Sequence, residues 1–519
     1  MDYRRLPVMA AAIIFSFFLA SACLAAPFLT TQPRSPQLVL VLVDGLDLSD
    51  IIDEPTWQEL LAQGAIGLLN TRTAGRVHPA STHLSIGTGA RSDAPASAVV
   101  ALEADELFHG LETAPAFTAL THSPAQLAEV MVFSLPQLLR ANGDAGVVVG
   151  WLGKQLRKSG LTVALVGNAD TADAVRRPAA LTVMDEYGIV PLGSVDKDLV
   201  RIDAEWPFGK RTAYDAVQQA LTRYHNVNLL ALELSDLARL DAYRDRMSEA
   251  QWLHYRKVAV QEIGEFLTTW LQETTSRLLI VSPTPRADRV AAGHWLAPVI
   301  LVADEAKDGL LASHNTKRAG IILNMDLAPF MLSLLKADSI GPLFFHPYPD
   351  AVSYVKSSYE RIIAVHDQRR LVLQSYVAFC IGVFLSSWVV ITGARRGSLR
   401  RTHLWHLVLL GAAAVPLALL ILPVLSPSRI GEALFLTALL AAILALAAWV
   451  LGQRSIDSFL VLLSATAVLL GLDVLCGANL IRWSILGYDC IGGARFYGIG
   501  NEYMGVLLTS SVMVAGMLL

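Results

Sequence analysis

Short apolar runs separated by longer mixed segments recur through residues 38–323 of the chain. Runs of this length, rich in Val, Leu and Ile, are typical of strands buried on both faces. The predicted strands are Leu38–Val43, Leu161–Val166, Leu181–Met184, Val227–Leu232, Arg277–Val281, Pro298–Val302 and Gly320–Leu323.

Helix signals lie between many of these runs. Ser248 begins a capping box ahead of an amphipathic run that reaches about Gln272, and Thr56 begins a second box. Asp326 followed by Pro329 indicates a further helix start, because proline is tolerated in a first turn. Strands that alternate with helices predict an α/β fold with a doubly wound, mostly parallel sheet.

A different pattern occupies the two ends of the chain. An apolar run from about Val8 to Leu24 follows Arg4 and Arg5, which predicts a signal peptide or signal anchor over residues 1–26. Residues 371–519 contain stretches near the ~20 residues that cross a bilayer, so we expect a transmembrane bundle of about five helices. The stretches are 371–392, 404–425, 431–451, 457–475 and 503–519. The last one runs to Leu519 without a polar tail, and whether the chain continues there stays open.

Arginines predict the orientation of these segments. Arg395, Arg396, Arg400 and Arg401 follow the first C-terminal stretch, and positive loops of this kind are cytoplasmic. Arg4 and Arg5 give the same assignment for the N-terminus. Residues 27–370 are therefore expected outside the cytoplasm, in a multi-pass protein of the cell membrane whose partner is the lipid bilayer.

Composition agrees with this division and narrows the class of protein. The hydrophobic fraction is 54%, and the mean hydropathy is +0.47, which is too apolar for an ordinary soluble enzyme. A net charge of -4 argues against a nucleic-acid partner. Cys476 and Cys490 flank a short non-cytoplasmic stretch, so they are either two free thiols or a disulfide.

Polar residues follow several predicted strands. Asp44 follows the first strand, Ser235 and Asp236 follow the fourth, and Ser282 follows the fifth. Such sheets bind ligands at the carboxyl ends of their strands, so this edge is the expected site.

Two motifs give this edge a family resemblance. A buried strand ends in Asp44-Gly45, and about forty residues later the chain reads Ala80-Ser81-Thr82-His83-Leu84-Ser85-Ile86-Gly87-Thr88-Gly89. Together with the late strand and the Asp326-Leu327-Ala328-Pro329 helix start, they resemble the alkaline phosphatase superfamily, over about residues 37–337. That superfamily also holds sulfatases, nucleotide pyrophosphatases and cofactor-independent phosphoglycerate mutases.

The resemblance implies a metal-assisted site. Asp44 would bind a divalent metal, Ser81 or Thr82 would be the nucleophile, and Asp236 and His294 would be further metal ligands. The chain departs from the family where Leu240 replaces an expected histidine and Ser282-Pro283-Thr284-Pro285 replaces an expected Asp-His pair. We therefore expect at most one divalent ion, Zn²⁺ or Mn²⁺.

Three functions stay open at this level. The domain hydrolyses or transfers a phospho- or related ester of an envelope component, or it is a catalytically degenerate module that binds a ligand or partner. Alternatively, the membrane helices transport or polymerise a substrate. The third reading gives weight to Arg495 and Glu502, which lie in the Gly-rich segment between the last two apolar stretches.

The orientation is testable by thiol labelling. A cysteine placed at Lys210 should react with an impermeant reagent in intact cells, whereas one placed at Ser398 should react only after the membrane is opened. The unmodified chain is the control for its own thiols. The reverse pattern would contradict both the topology and an extracytoplasmic function.

Overall fold

The computed structural model describes residues 37–123, 130–337, 340–393 and 399–519, with side chains except at residues 389 and 392–402. The predicted signal segment, residues 1–26, lies outside the described residues. The strands are β1 Leu38–Leu42, β2 Gly64–Asn70, β3 Ala101–Glu103, β4 Leu107–Phe108, β5 Leu111–Glu112, β6 Val130–Val132, β7 Val163–Gly167, β8 Ile189–Val190, β9 Leu192–Ser194, β10 Val200–Ile202, β11 Lys210–Thr212, β12 Leu229–Glu233, β13 Arg277–Val281, β14 Leu296–Val302, β15 Gly309–Ser313, β16 Ile321–Leu323 and β17 Leu343–Pro347.

The α-helices fall between these strands and after them. They are α1 Leu48–Ile51, α2 Pro55–Ala62, α3 Pro79–Thr88, α4 Thr113–Thr121, α5 Leu135–Asn142, α6 Trp151–Lys158, α7 Ala180–Val183, α8 Tyr214–Arg223, α9 Asp236–Ala242, α10 Glu249–Glu273, α11 Ala287–Ala292, α12 Leu327–Leu334, α13 Ala351–Gly393, α14 Leu399–Ile421, α15 Ile430–Leu451, α16 Ser455–Leu475 and α17 Asn501–Leu518.

The main sheet has the order β17-β15-β2-β14-β13-β1-β12-β7-β9, and β16 also pairs with β2. The pairs around β1 are parallel, namely β13–β1, β1–β12, β12–β7 and β7–β9. β14 runs antiparallel to both of its neighbours, β13 and β2. The predicted doubly wound, mostly parallel α/β sheet is therefore confirmed.

Two hydrophobic cores cover the faces of this sheet. Along β1, Val39 and Val41 enter one core while Leu38, Leu40 and Leu42 enter the other. A strand buried on both faces reads as a continuous apolar run, which is why β1 is visible in the sequence.

Three local predictions can be compared with the structure. The Ser248 cap is confirmed, since its side chain accepts a hydrogen bond from the Gln251 amide at the start of α10. Asp326 likewise precedes α12. The predicted strand Leu181–Met184 is wrong, because these residues lie in and just after the short helix α7. A short, fully buried apolar run does not distinguish a strand from a helical turn.

β2 was missed by the sequence analysis, although it lies inside the sheet. Its sequence, Gly64–Asn70, contains two glycines, which weaken the strand signal. Gly67 is required by packing, since a Cβ there would lie 3.0 Å from Leu311.

Helix α13 joins the α/β domain (residues 37–350) to the membrane helices. It is continuous for 43 residues, a length of about 65 Å. Val355, Tyr359 and Ile362 in its first half belong to the sheet domain's core, whereas Val372 packs among the membrane helices. The predicted boundary at residue 370 thus falls inside one helix.

Four described helices are long and apolar enough to cross a membrane. They comprise Ala351–Trp388, His403–Val424, Ile430–Leu451 and Ser455–Leu475. The fifth predicted stretch is helical, as α17, but Asn501 and Glu502 in its first turn lower its apolar content, and it is not among the four.

The segment from Cys476 to Gly500, here called the docking loop, packs against the α/β domain. Ile491 and Phe496 enter the sheet core, and Asn70 at the end of β2 donates hydrogen bonds to the carbonyls of Cys490 (2.7 Å) and Ile491 (3.0 Å). The docking loop therefore lies on the same side of the membrane helices as the α/β domain.

Further polar contacts lie at or near this junction. Arg91 donates to the carbonyl of Gly493, and the Lys317 ammonium lies 4.5 Å from the Tyr497 ring centroid. Glu502 accepts from Arg369 at 3.2 Å. Cys476 and Cys490 are free thiols, so the disulfide alternative is excluded.

Asn70→Ala should loosen the docking loop. The change leaves two buried carbonyls without their donor, which costs about 1–3 kcal/mol per unsatisfied group. We expect a lower melting temperature of the purified chain and faster tryptic cleavage within the docking loop. Asn479→Ala is the matched control, because Asn479 is exposed and bonds only to Cys476 three residues away. Equal cleavage rates for both variants would contradict the assignment.

Candidate metal centre

Two neighbouring strands deliver carboxylates to the same edge of the sheet. β1 is followed by Asp44, and Glu233 is the last residue of the adjacent parallel strand β12. The two side chains are only 7% and 4% exposed. Both lie at carboxyl ends of parallel strands, where ligands of such sheets bind.

The turn after β1 depends on Gly45. Its φ of +82° is in the left-handed region, and an added Cβ would lie 2.9 Å from the Asp241 carboxylate. The Gly45 amide donates to the Thr284 carbonyl at 2.8 Å, which ties the turn to the segment after β13. The chain can therefore pass close to these groups while Asp44 points into the edge.

Helix α3 supplies the third member of the site. His83 Nε2 lies 2.9 Å from Asp44 Oδ2, and His83 Nδ1 lies 3.0 Å from Thr182 Oγ1 on α7. The Thr284 amide donates to the other oxygen of Asp44 at 2.9 Å. His83 is completely buried, so its ring orientation is determined by these partners.

The Asp44–His83 contact is an ion pair. Burial acts to raise the pKa of Asp44, but the charge and hydrogen bond of His83, together with Thr284, outweigh it and hold that pKa below its usual value. Burial acts to lower the pKa of His83, but Asp44 and the nearby Glu233 raise it overall. Each member of the pair therefore stabilises the charged form of the other.

Glu233 is the unusual member of the group. Neither of its carboxylate oxygens has a hydrogen-bond partner among the residues that the structure describes. Burial, with the negative charge of Asp44, raises the pKa of Glu233 to about 8. A buried carboxylate without a partner destabilises the folded chain, so we expect Glu233 to bind either a proton or a cation.

These three residues fit one divalent ion. One ligand atom from each of Asp44, His83 and Glu233 lies within 4.8 Å of the others. One imidazole nitrogen with carboxylate oxygens suits Zn²⁺ or Mn²⁺. A metal ion binds the deprotonated forms of His83 and Glu233, so its binding would release any protons that they hold.

The other acidic groups at this edge already have cationic partners. The Arg256 guanidinium donates to Asp50 and to the Gly45 carbonyl and lies 3.6 Å from Asp241. Arg289 pairs with Asp47 at 2.9 Å. Arginine side chains thus supply the positive charge here, and in the described structure only Asp44, His83 and Glu233 form a ligand cluster.

The two predicted nucleophiles have different surroundings. The Ser81 hydroxyl donates to the carbonyls of Arg76 and His78 in the first turn of α3, which makes it a helix-start group. The Thr82 hydroxyl lies 2.8 Å from Thr284 Oγ1, and Thr284 contacts Asp44. Thr82 is therefore connected to the centre, but its side chain is completely buried.

The other two predicted metal ligands are placed elsewhere. Asp236 is fully buried and accepts from Arg239 and from the Thr212 amide, both at 2.8 Å. His294 Nε2 lies 2.7 Å from Asp367 on α13, at the junction with the long helix. Their predicted metal role does not coincide with the cluster around Asp44.

Sequence reasoning underrated two of the three cluster residues. The sequence analysis names His83 only within the motif around Ser81 and Thr82, and it does not single out Glu233, which directly follows the fourth predicted strand. The available signal for Glu233 was its position as the last residue of a buried strand beside β1. No motif spacing indicates His83, because its partners Asp44 and Thr182 lie beside it only in the folded chain.

Comparisons with known proteins give remote structural matches and no sequence match. No protein-family model matches the sequence, and no curated protein matches it. Structural matches include a protein of Pyrococcus horikoshii (12% identity, 60% of this chain and 99% of that one, TM-score 0.33). They also include alkaline phosphatase from the Antarctic bacterium TAB5 (10%, 59% and 100%, 0.33) and murine ectonucleotide pyrophosphatase/phosphodiesterase 5 (8%, 62% and 99%, 0.33).

The last two matches are with the superfamily that the motifs resemble. At these identities and TM-scores, the chemistry of the present site has to be read from its own residues. Those residues are the Asp44–His83 pair, the buried Glu233 carboxyl group and the hydroxyls of Thr82 and Thr284.

Glu233 should make the metal-free protein less stable as pH rises. Its pKa is raised to about 8 in the folded chain, so the folded state binds a proton that the unfolded state has released above about pH 4.5. This stabilisation is complete below pH 4.5 and is lost as pH rises through 8. In Glu233→Gln, the decrease in the free energy of unfolding over this pH range should be smaller by a few kcal/mol.

The measurement is the melting temperature in chelator between pH 5 and 9. Glu103 and Asp241 also have raised pKa values, of about 7 and about 6, and contribute in the same direction. The slope of melting temperature against pH should therefore be compared between the native chain and Glu233→Gln. Identical slopes would show that Glu233 is ionised in the folded chain.

Proposed function

We propose that the α/β domain binds one divalent cation through Asp44, His83 and Glu233 and acts as a ligand- or partner-binding module held on the membrane helices. The carrying observation is the buried Glu233 carboxyl group, which has no described hydrogen-bond partner and lies beside the Asp44–His83 pair. With the orientation inferred from the arginines, this module lies outside the cytoplasm and meets components of the cell envelope.

Burial favours binding over hydrolysis. A hydroxyl nucleophile must reach its substrate and must be activated by a base or a metal. The side chains of Ser81 and Thr82 are both completely buried. Two-metal phosphoryl transfer also needs a second cation, and arginines neutralise the nearby acids instead.

The position of the centre suits control of the membrane module. Asp47, three residues after Asp44, contacts Arg289, and its carboxylate accepts from the Tyr359 hydroxyl of α13 at 3.5 Å. The β1 turn thus connects the cation site with the helix that enters the membrane. Occupation of the site would stiffen the edge that packs on α13.

A second candidate is hydrolysis or transfer of a phospho- or related ester of an envelope component. The observation that favours it is the chain of contacts from the Thr82 hydroxyl through Thr284 to Asp44. A divalent ion at the cluster would supply Lewis-acid stabilisation of the ester oxygens. Thr82 would have to become accessible for this to occur.

Metal analysis of the purified full chain tests the main proposal. After removal of metals and incubation with Zn²⁺ or Mn²⁺, we expect one ion per chain. Glu233→Gln should lose it, because an amide is a much weaker ligand than a carboxylate. Glu265→Gln, an exposed position on α10, is the control. Two tightly held ions, or none, would contradict the proposal.

Thr82→Val with Ser81→Ala separates the two candidates. A binding module should keep its cation and its cellular function in the double variant. An esterase or transferase should keep the cation but lose function and any hydrolysis of p-nitrophenyl phosphate.

A further inference from the structure

A groove of about 540 Å³ lies between helices α13, α14 and α15 in the membrane module. One wall is α15, where Ala438, Ala441, Ala442 and Ala445 line it. Small side chains at this spacing leave room between helices that larger residues would fill. The remaining lining is almost entirely apolar, so the space suits a hydrocarbon chain.

A second pocket of about 240 Å³ lies nearer the α/β domain, between α13, the loop that joins α14 to α15 and the docking loop. Its lining is mainly apolar, and it is called the polar pocket here for its charged and amide side chains, Glu360, Arg361 and Gln368. Arg361, Gln368 and Trp483 line it, together with the loop between α14 and α15. Gln368 donates to the Pro427 carbonyl at 2.9 Å. The pocket is thus at the level where the membrane helices meet the docking loop.

The two spaces follow one stripe of α13. Val365 and Gln368 line the polar pocket, whereas Val372, Ser375 and Phe379 line the apolar groove. These positions are three or four residues apart and so share one helix face. From Gln368 to Phe379 the rise is about 16 Å, close to the ~15 Å of one leaflet of the hydrocarbon core.

The guanidinium of Arg361, in the polar pocket, has no carboxylate partner among the described residues. Arg361 donates to the Pro423 carbonyl at 2.8 Å, and its guanidinium lies 4.4 Å from the Trp483 ring centroid. Arg318 lies at the same distance from that ring, and its buried Nη2 has no described partner. Among the residues described, no carboxylate lies within 4.0 Å of Arg361; Glu360 also lines the pocket but is exposed.

We propose that this combined site binds one anionic phospholipid, with its phosphate at Arg361 and an acyl chain in the groove of α13, α14 and α15. An anionic headgroup is assigned because guanidinium groups such as that of Arg361 bind phosphate through charge-assisted hydrogen bonds. The length and apolar lining of the groove carry the chain assignment. The site is independent of the cation centre at Asp44.

Native mass spectrometry of the detergent-purified full chain tests this site. The probes are phosphatidylglycerol, phosphatidylcholine and inorganic phosphate, each titrated separately. We expect one retained phosphatidylglycerol per chain, weaker phosphatidylcholine and no phosphate. Arg361→Gln should weaken phosphatidylglycerol binding roughly tenfold, and Ala442→Leu should weaken both lipids by filling the groove.

Matched controls are available at the same membrane level and on the same helix. Arg429→Gln removes an exposed cation that does not line the pocket, and Ala447→Leu adds the same side chain outside the groove. Both controls should bind phosphatidylglycerol like the native chain. A melting temperature close to native in every variant establishes that each one is folded.

Three results would overturn the proposal. Equal binding of the two lipids, unchanged in Arg361→Gln, would show that the site does not select an anionic headgroup. Retention of phosphate alone would show a free-anion site. A disulfide between Cys23 and a cysteine introduced at Ala442 would show that the N-terminal apolar segment, rather than a lipid, fills the groove.

Discussion

The charges that strands bring to the carboxyl edge of the main sheet are hidden from water. Around Asp44 they are covered by α3, α7 and the segment after β13, and around Asp47 and Asn70 by α13 and the docking loop. Each must find a partner within the protein. Asp44 pairs with His83, Asp47 with Arg289, and Asn70 bonds to two carbonyls of the docking loop. Only Glu233 is left without one in the described structure. Burial of charge at this edge thus accounts for the closed form of the candidate centre and for the polar contacts of Asp47 and Asn70 with α13 and the docking loop.

The same burial determines what chemistry the edge can support. In a site closed to water, a proton on Glu233 and a bound cation are alternative ways to neutralise the carboxylate, and pH selects between them. Hydrolysis requires a reachable nucleophile, whereas a cation bound for structural or binding purposes does not. The arginines around Asp50 and Asp241 act as permanent counter-ions where a second metal would otherwise be needed. A single-cation binding module is therefore the function that this electrostatic arrangement favours.

Helix α13 connects the α/β domain to the membrane helices without a break and packs in both. Its first half contributes Val355 and Tyr359 to the sheet core, and its second half lines the groove assigned to a lipid chain. Arg361 lies in the first half, beside Ile362, and contacts Trp483 of the docking loop. The β1 turn contacts the same helix through Asp47 and Tyr359, so α13 connects with both the sheet edge and the membrane helices.

The sequence by itself determined the sheet class, the apolar helices and the place of Asp44 at the end of a buried strand, because each depends on local patterns: buried runs, length and the residue after a strand. It did not determine the members of the cluster. Thr82 was reached through a motif, but Asp236 and His294 fold against Arg239 and Asp367 instead. His83 and Glu233 join Asp44 only because β12 lies beside β1 and α3 crosses their ends. Those pairings link residues 39 to about 190 positions apart, and tertiary packing alone selects them.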